Sequence, residues 1–114
     1  MLPSSRPHWL AAVSVLPPKG VPSRAPVHPG RLLARTCLAP LALSQSEAAR
    51  ALGLSRRRLH ELVHGQRTMT PDTALRCAHV FGIDAAFWLT QQAAWDSFHA
   101  WKHLRQSASA PSSS

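Results

Sequence analysis

Acidic residues are scarce in this chain. Its 114 residues hold 5 Asp+Glu against 13 Lys+Arg, a formal net charge of +8, and the pI is near 11.6. Such an imbalance points to a polyanionic partner, either nucleic acid or an acidic protein surface, and fixes nothing about the fold. Cysteine is rarer still. Cys37 and Cys77 are too few for a disulfide framework and lack the paired spacing of a zinc site. They are expected to be reduced, buried thiols of a cytosolic protein. No apolar run approaches the roughly 20 residues that cross a bilayer. The nearest, "WLAAVSVL" at 9–16, runs into Pro17-Pro18 without a small-residue cleavage site, which argues against export and membrane insertion. There is no strand-like alternation of useful length and no internal repeat, so the expected fold class is all-α.

What is present falls into four parts. Residues 1–26 carry Pro3, Pro7, Pro17, Pro18, Pro22 and Pro26 with Arg6, Lys19 and Arg24, and are expected to form a flexible, basic arm. Residues 27–82 have helical patterning, and a further helix occupies 83–105. Residues 106–114, with the run "SASAPSSS", read as a disordered tail. The first helix starts near Pro29-Gly30 and runs through "RLLARTCL" to stop before Pro40. A second takes Ser44 as N-cap with Glu47 three residues on, a capping box, and ends at Gly53. The third takes Ser55 as N-cap and ends at Gly65. The fourth has Thr70 as N-cap and Pro71 at its first position, and ends at Gly82. The fifth begins at Asp84 and reaches Arg105. Five short helices with tight connections make a bundle.

The second and third helices are joined through Gly53, with Ala49 where they approach and Leu52, Leu54, Leu59 and Leu62 between them. That is the composition of a helix-turn-helix. On a helical wheel Leu59, Leu62 and Val63 point inward, while Arg57, His60, Glu61 and His64 point outward and Arg56 and Arg58 flank them. Basic residues at the start of an exposed helix suit a recognition helix in the major groove. There, an arginine fork can pair with guanine while its neighbours hold phosphates. The same stretch, "RRRLHELVHG", also spells the H-E-x-x-H of a zinc peptidase in His60, Glu61 and His64. A peptidase needs a third protein ligand and a substrate cleft as well. The nearest downstream helix offers only His79, so the expectation is no metal, no cofactor and no catalytic residue. His99 and His103 form a further pair one turn apart, read as solvated helix surface.

His28-Pro29-Gly30, Leu43-Ser44-Gln45, Gly53, Arg57-Arg58, Gly65, Thr70-Pro71-Asp72-Thr73-Ala74-Leu75-Arg76, Phe87-Trp88-Leu89 and Gln92-Ala93-Ala94 together resemble the HigA (VapI) family of antitoxins. The resemblance spans residues 28 to about 98. It implies a five-helix, lambda-repressor-like DNA-binding domain with a central helix-turn-helix, a homodimer, and operator DNA as partner. It also implies neutralisation of a small, basic, mRNA-cleaving toxin of the RelE/HigB kind, repression of the protein's own operon, and a cytoplasmic, nucleoid-associated bacterial protein. In this superfamily a glutamine opening the second helix contacts phosphate, and Gln45 holds that place. Ser55 to Arg58 and His60 hold the reading positions. With Ser44, His64 and Arg67 the expected DNA-contact set is Ser44, Gln45, Ser55, Arg56, Arg57, Arg58, His60, His64 and Arg67. The chain departs from the family in its first helix, where Arg31, Ala34 and Arg35 stand in place of the usual acids. A stand-alone phage-type repressor without a toxin is the alternative reading, and a zinc hydrolase is a remote third.

The fifth helix concentrates aromatics. Phe87 and Trp88 are expected to pack on the core, and Trp95, Phe98 and Trp101 to form a dimer contact, since aromatics favour interface centres.

Overall fold

Four of the five helices begin at a side chain that accepts a hydrogen bond from the opening turn, as their sequences demand. In the computed structural model, which describes residues 17–109, α1 spans Pro29–Leu33 and is capped by His28, whose Nδ1 accepts from the Gly30 amide at 2.9 Å. Helix α2, Gln45–Leu52, has the expected capping box: the Glu47 amide donates to Ser44 Oγ at 3.1 Å and the Ser44 amide to Glu47 Oε1 at 2.9 Å. Helix α3, Arg56–Val63, is capped by Ser55, and α4, Pro71–Phe81, by Thr70. Helix α5 runs Ala85–Ser109. There is no strand among the described residues. None of their helices is long and apolar enough to cross a membrane.

Three element ends differ from expectation. Before Pro40, α1 widens into a π-turn over Ala34–Leu38, where the Ala39 amide reaches back five residues to the Ala34 carbonyl at 2.9 Å. Thr36 contributes by donating its hydroxyl to the Leu32 carbonyl at 2.7 Å, a bond that competes with the regular ladder. Helix α3 stops at Val63 rather than Gly65, with His64 as its last capping residue. Helix α5 continues through Ser109, four residues past Arg105, because neither a glycine nor a proline interrupts it there. The rest of the tail, 110–114, and residues 1–16 of the arm, including the apolar run at 9–16, lie outside the described residues.

The core gathers the inward face of every helix. Leu33, Cys37 and Leu38 come from α1 and its π-turn, Ala48, Ala49 and Leu52 from α2, and Leu59, Leu62 and Val63 from α3; Ala74 and Cys77 come from α4 and Trp88 from α5. Fully burying one such Leu or Val stabilises by roughly 1.5–3 kcal/mol, so these contacts dominate the small capping gains. The expected boundary after Gly82 does not divide the structure. Residues 27–93 form one compact unit that includes the start of α5. Trp88 is fully buried in it, and Gln92 Oε1 accepts from the Met69 amide at 2.8 Å. Phe87 does not join the core as expected: it is 43% exposed and sits edge-on to Trp88. Successive residues on an α-helix lie 100° apart, and with Trp88 turned fully inward Phe87 is left at the edge of the buried face.

Both cysteines are buried free thiols. Burial pushes Cys77 up to about 12, and the Cys37 thiol adds to the shift.

The remaining described residues, 17–26 and 94–109, group separately. The first stretch holds turns, one closed by the Val21 amide on the Pro18 carbonyl at 3.1 Å. The second is helical; Trp101 is buried in it, with the Arg105 guanidinium 4.8 Å above its ring centre.

Candidate nucleic-acid interface

The turn between α2 and α3 is fixed from two sides. Gly53 adopts a left-handed conformation, φ 69°, in which a side chain is disfavoured. A Cβ there would also lie 2.6 Å from Arg76 Nη1. Arg76 reaches in from α4 to donate to the carbonyls of Leu52, at 3.0 Å, and Gly53, at 3.2 Å, while its Nε donates to Asp72 at 3.0 Å. The last carbonyls of a helix have no partner within it, so this arginine completes the C-terminus of α2. At the other end of α3 the backbone of α1 approaches at Gly30, where a Cβ would fall 1.6 Å from the Leu62 carbonyl oxygen. Arg31 donates to the neighbouring His64 carbonyl at 3.4 Å. Helix α3 is thus held at both ends, with Leu59, Leu62 and Val63 buried beneath it.

Held this way, α3 presents Arg56, Arg57, His60 and His64 to solvent, and the Arg57 side chain is 86% exposed. The head of α2 lies beside it: Gln45 Oε1 is 3.1 Å from His60 Nδ1. His60 and His64 stack with ring centres 4.2 Å apart, and His64 Nδ1 is 2.8 Å from the His60 carbonyl. Ser44 and Ser55 spend their hydroxyls on the caps, accepting from Glu47 and Arg58 amides. The structure therefore brings Ser44, Gln45, Ser55, Arg56, Arg57, His60, His64 and Arg67 around one helix.

Two residues stand differently from what the sequence suggested. Arg58 is half-buried, donating to Thr73 Oγ1 at 2.9 Å and Asp72 at 3.5 Å, so its guanidinium is committed to the start of α4. Arg67, in the turn after α3, folds back to donate to Glu61 Oε1 through Nε at 3.0 Å and Nη2 at 2.7 Å. Glu61 also accepts from Arg57 Nε at 3.2 Å. Arg67 first, then Arg57, holds the Glu61 carboxyl below its ordinary value of 4.5.

That geometry also places the zinc-peptidase signature. Glu61 lies between two guanidinium groups and His60 against Gln45. No group of three or more His, Cys, Asp or Glu among the described residues is placed to hold a metal ion. The sequence reading placed Glu61 on the outward face but missed its two arginine partners, and it missed the reach of Arg76 to carbonyls 24 and 23 residues back.

A two-helix unit with an apolar underside, a glycine turn and an exposed cationic second helix defines a helix-turn-helix DNA-binding protein. A helix-turn-helix family profile matches residues 35–88. Virulence-associated protein I of Dichelobacter nodosus is 43% identical over 79 residues, covering 69% of this chain and 73% of that protein. An addiction module antidote protein of the HigA family from Coxiella burnetii has a similar structure, with a TM-score of 0.69 and 32% identity, over 80% of this chain and 99% of that one. PA4674 of Pseudomonas aeruginosa, solved in complex with its 18-bp operator DNA, gives a TM-score of 0.66 and 31% identity, over 68% and 84%. The chain belongs to the HigA (VapI) family of helix-turn-helix, DNA-binding antitoxins and regulators, which are not enzymes.

Proposed function

We propose that this protein is the antitoxin of a toxin–antitoxin pair, a homodimer that binds operator DNA through α3, represses its own operon and neutralises an mRNA-cleaving toxin. The observation that carries the reading is the exposed cationic face of α3 set against the head of α2. Arg57 is suited to base edges, and Arg56, Gln45 and the capped N-termini of α2 and α3 to phosphate oxygens, where partial positive charge favours an anion. Two such helices in successive major grooves sit about 34 Å apart, which requires a twofold dimer. Trp95 and Phe98 are half-buried in the single chain and are proposed as its contact, with the buried Trp101 in the next turn supporting them.

One observation favours a stand-alone repressor instead. Arg31 and Arg35 lie exposed along α1 and its π-turn, and they do not complement a basic toxin. Expressing the adjacent small basic reading frame with and without this chain separates the two. Growth arrest that this chain relieves supports the antitoxin reading. An adjacent gene without toxicity leaves only the repressor. Sedimentation of the Trp95→Ala/Phe98→Ala variant checks the dimer: the expected species is a folded monomer with weak, largely non-specific DNA affinity, and a persisting dimer moves the interface elsewhere.

A further inference from the structure

We propose that Glu61 is a positioning residue that sets Arg57 to read a guanine. The inference rests on the operator-binding reading above and adds to it the residue that determines specificity. Four arginines lie on or beside α3, and their guanidinium edges are used differently. Arg58 is turned to Thr73 and Asp72. Arg67 gives both Nε and Nη2 to Glu61 Oε1. Arg56 is exposed at the first position of the helix, where a phosphate contact fits. Of the two arginines that Glu61 holds, Arg57 is bound through Nε only, at 3.2 Å, which leaves its two terminal nitrogens for a partner. Those two nitrogens form the edge that matches guanine O6 and N7.

An exposed arginine loses rotamer entropy when it docks, and a hold on Nε removes part of that cost before DNA arrives. The hold is itself anchored. Glu61 sits one turn beyond Arg57, and Arg67 fixes the carboxylate from the turn after the helix. Exposed ion pairs of this kind add little to folding stability, so stability is a poor account of the arrangement. A carboxylate on a face that meets phosphates also opposes non-specific binding. Glu61 therefore exchanges general affinity for discrimination.

The test begins with selection of a binding sequence from random duplex DNA by the full chain. Dissociation constants of variants are then measured on that sequence and on a scrambled duplex. Glu61→Gln is expected to tighten scrambled-DNA binding and to lower the selected-to-scrambled ratio about tenfold, the order of one bidentate base contact. Glu61→Asp keeps the charge but shortens the reach, so it should lose the discrimination without the gain in non-specific affinity. It also carries the test if the Gln variant does not fold. In an Arg57→Ala background, either change at position 61 should leave the ratio where Arg57→Ala alone puts it. Additive effects, or an unchanged ratio in folded Glu61→Gln and Glu61→Asp, overturn the proposal while leaving the DNA reading intact. A selection that enriches no sequence overturns both.

Discussion

The α2–α3 pair and α5 are built in opposite ways. Helices α2 and α3 are eight residues each, opened by Ser44 and Ser55, and each keeps one face buried and the other polar. Helix α5 is 25 residues long, with no acid in its first turn and no base in its last. Its first part places Trp88 and Gln92 in the domain interior, and from Ala94 it belongs to a separate grouping. Isolated helices as short as α2 and α3 are marginal in water, so packing must hold them in place. Other elements close the ends of the small pair: Arg76 at the Gly53 turn, Gly30 against Leu62. The lesson is that a recognition helix is positioned by its surroundings, while its own sequence supplies only the side chains it presents.

Removing the largest shared contact puts that contrast to its hardest test. Trp88→Ala is expected to destabilise the domain by about 3–5 kcal/mol, as other buried Trp truncations do. Denaturant unfolding measures it, and a loss under 1 kcal/mol would detach α5 from the core. Gly30→Ala comes next. Alanine is the better helix former by about 1 kcal/mol, but its Cβ would fall 1.6 Å from the Leu62 oxygen. Overpacking of that kind costs about 1–3 kcal/mol or more, so the clash wins and the melting temperature falls. An unchanged melt would mean α1 shifts away without consequence for α3.

Acid should produce the smallest effect. The Ser44 backbone amide, then its hydroxyl, lowers the Glu47 carboxyl, and Arg67 and Arg57 lower that of Glu61, both from 4.5. A depressed carboxylate contributes stability present above its unfolded value and lost as pH falls through the folded one. Melting temperature should therefore decline below pH 4.5, and Glu47→Gln with Glu61→Gln should flatten that decline. An equally steep acid limb in the double variant assigns the loss to other groups.

Legibility in the sequence followed the range of each interaction. The caps at Ser44, Ser55 and Thr70 and the stop at Gly53 each act within about one turn, so local residue types announce them. The inward placement of Leu59, Leu62 and Val63 follows from the helical period. Arg58 resembles Arg56 in sequence, and both are expected there to flank Arg57 and hold phosphate. Its partners, Asp72 and Thr73, lie 14 and 15 residues on, beyond any local signal. Phe87 and Trp88 looked equivalent too, and only packing separated a 43% exposed ring from a fully buried one. The π-turn before Pro40 lies between these cases: proline announced an end to the helix, but not the wider turn that made it.

By itself, then, the sequence determined an all-helical domain, the approximate limits of its helices, and a basic third helix with its apolar side inward. These depend on capping, periodicity and charge, which act between residues close in the chain. Only the tertiary structure decided which arginines are spent within the fold. It sent Arg58 to Asp72, carried Arg76 to the Leu52 and Gly53 carbonyls, and folded Arg67 onto Glu61. Guanidinium groups compete for whichever carboxylate the fold brings within hydrogen-bond reach, and that geometry exists only once the helices have packed.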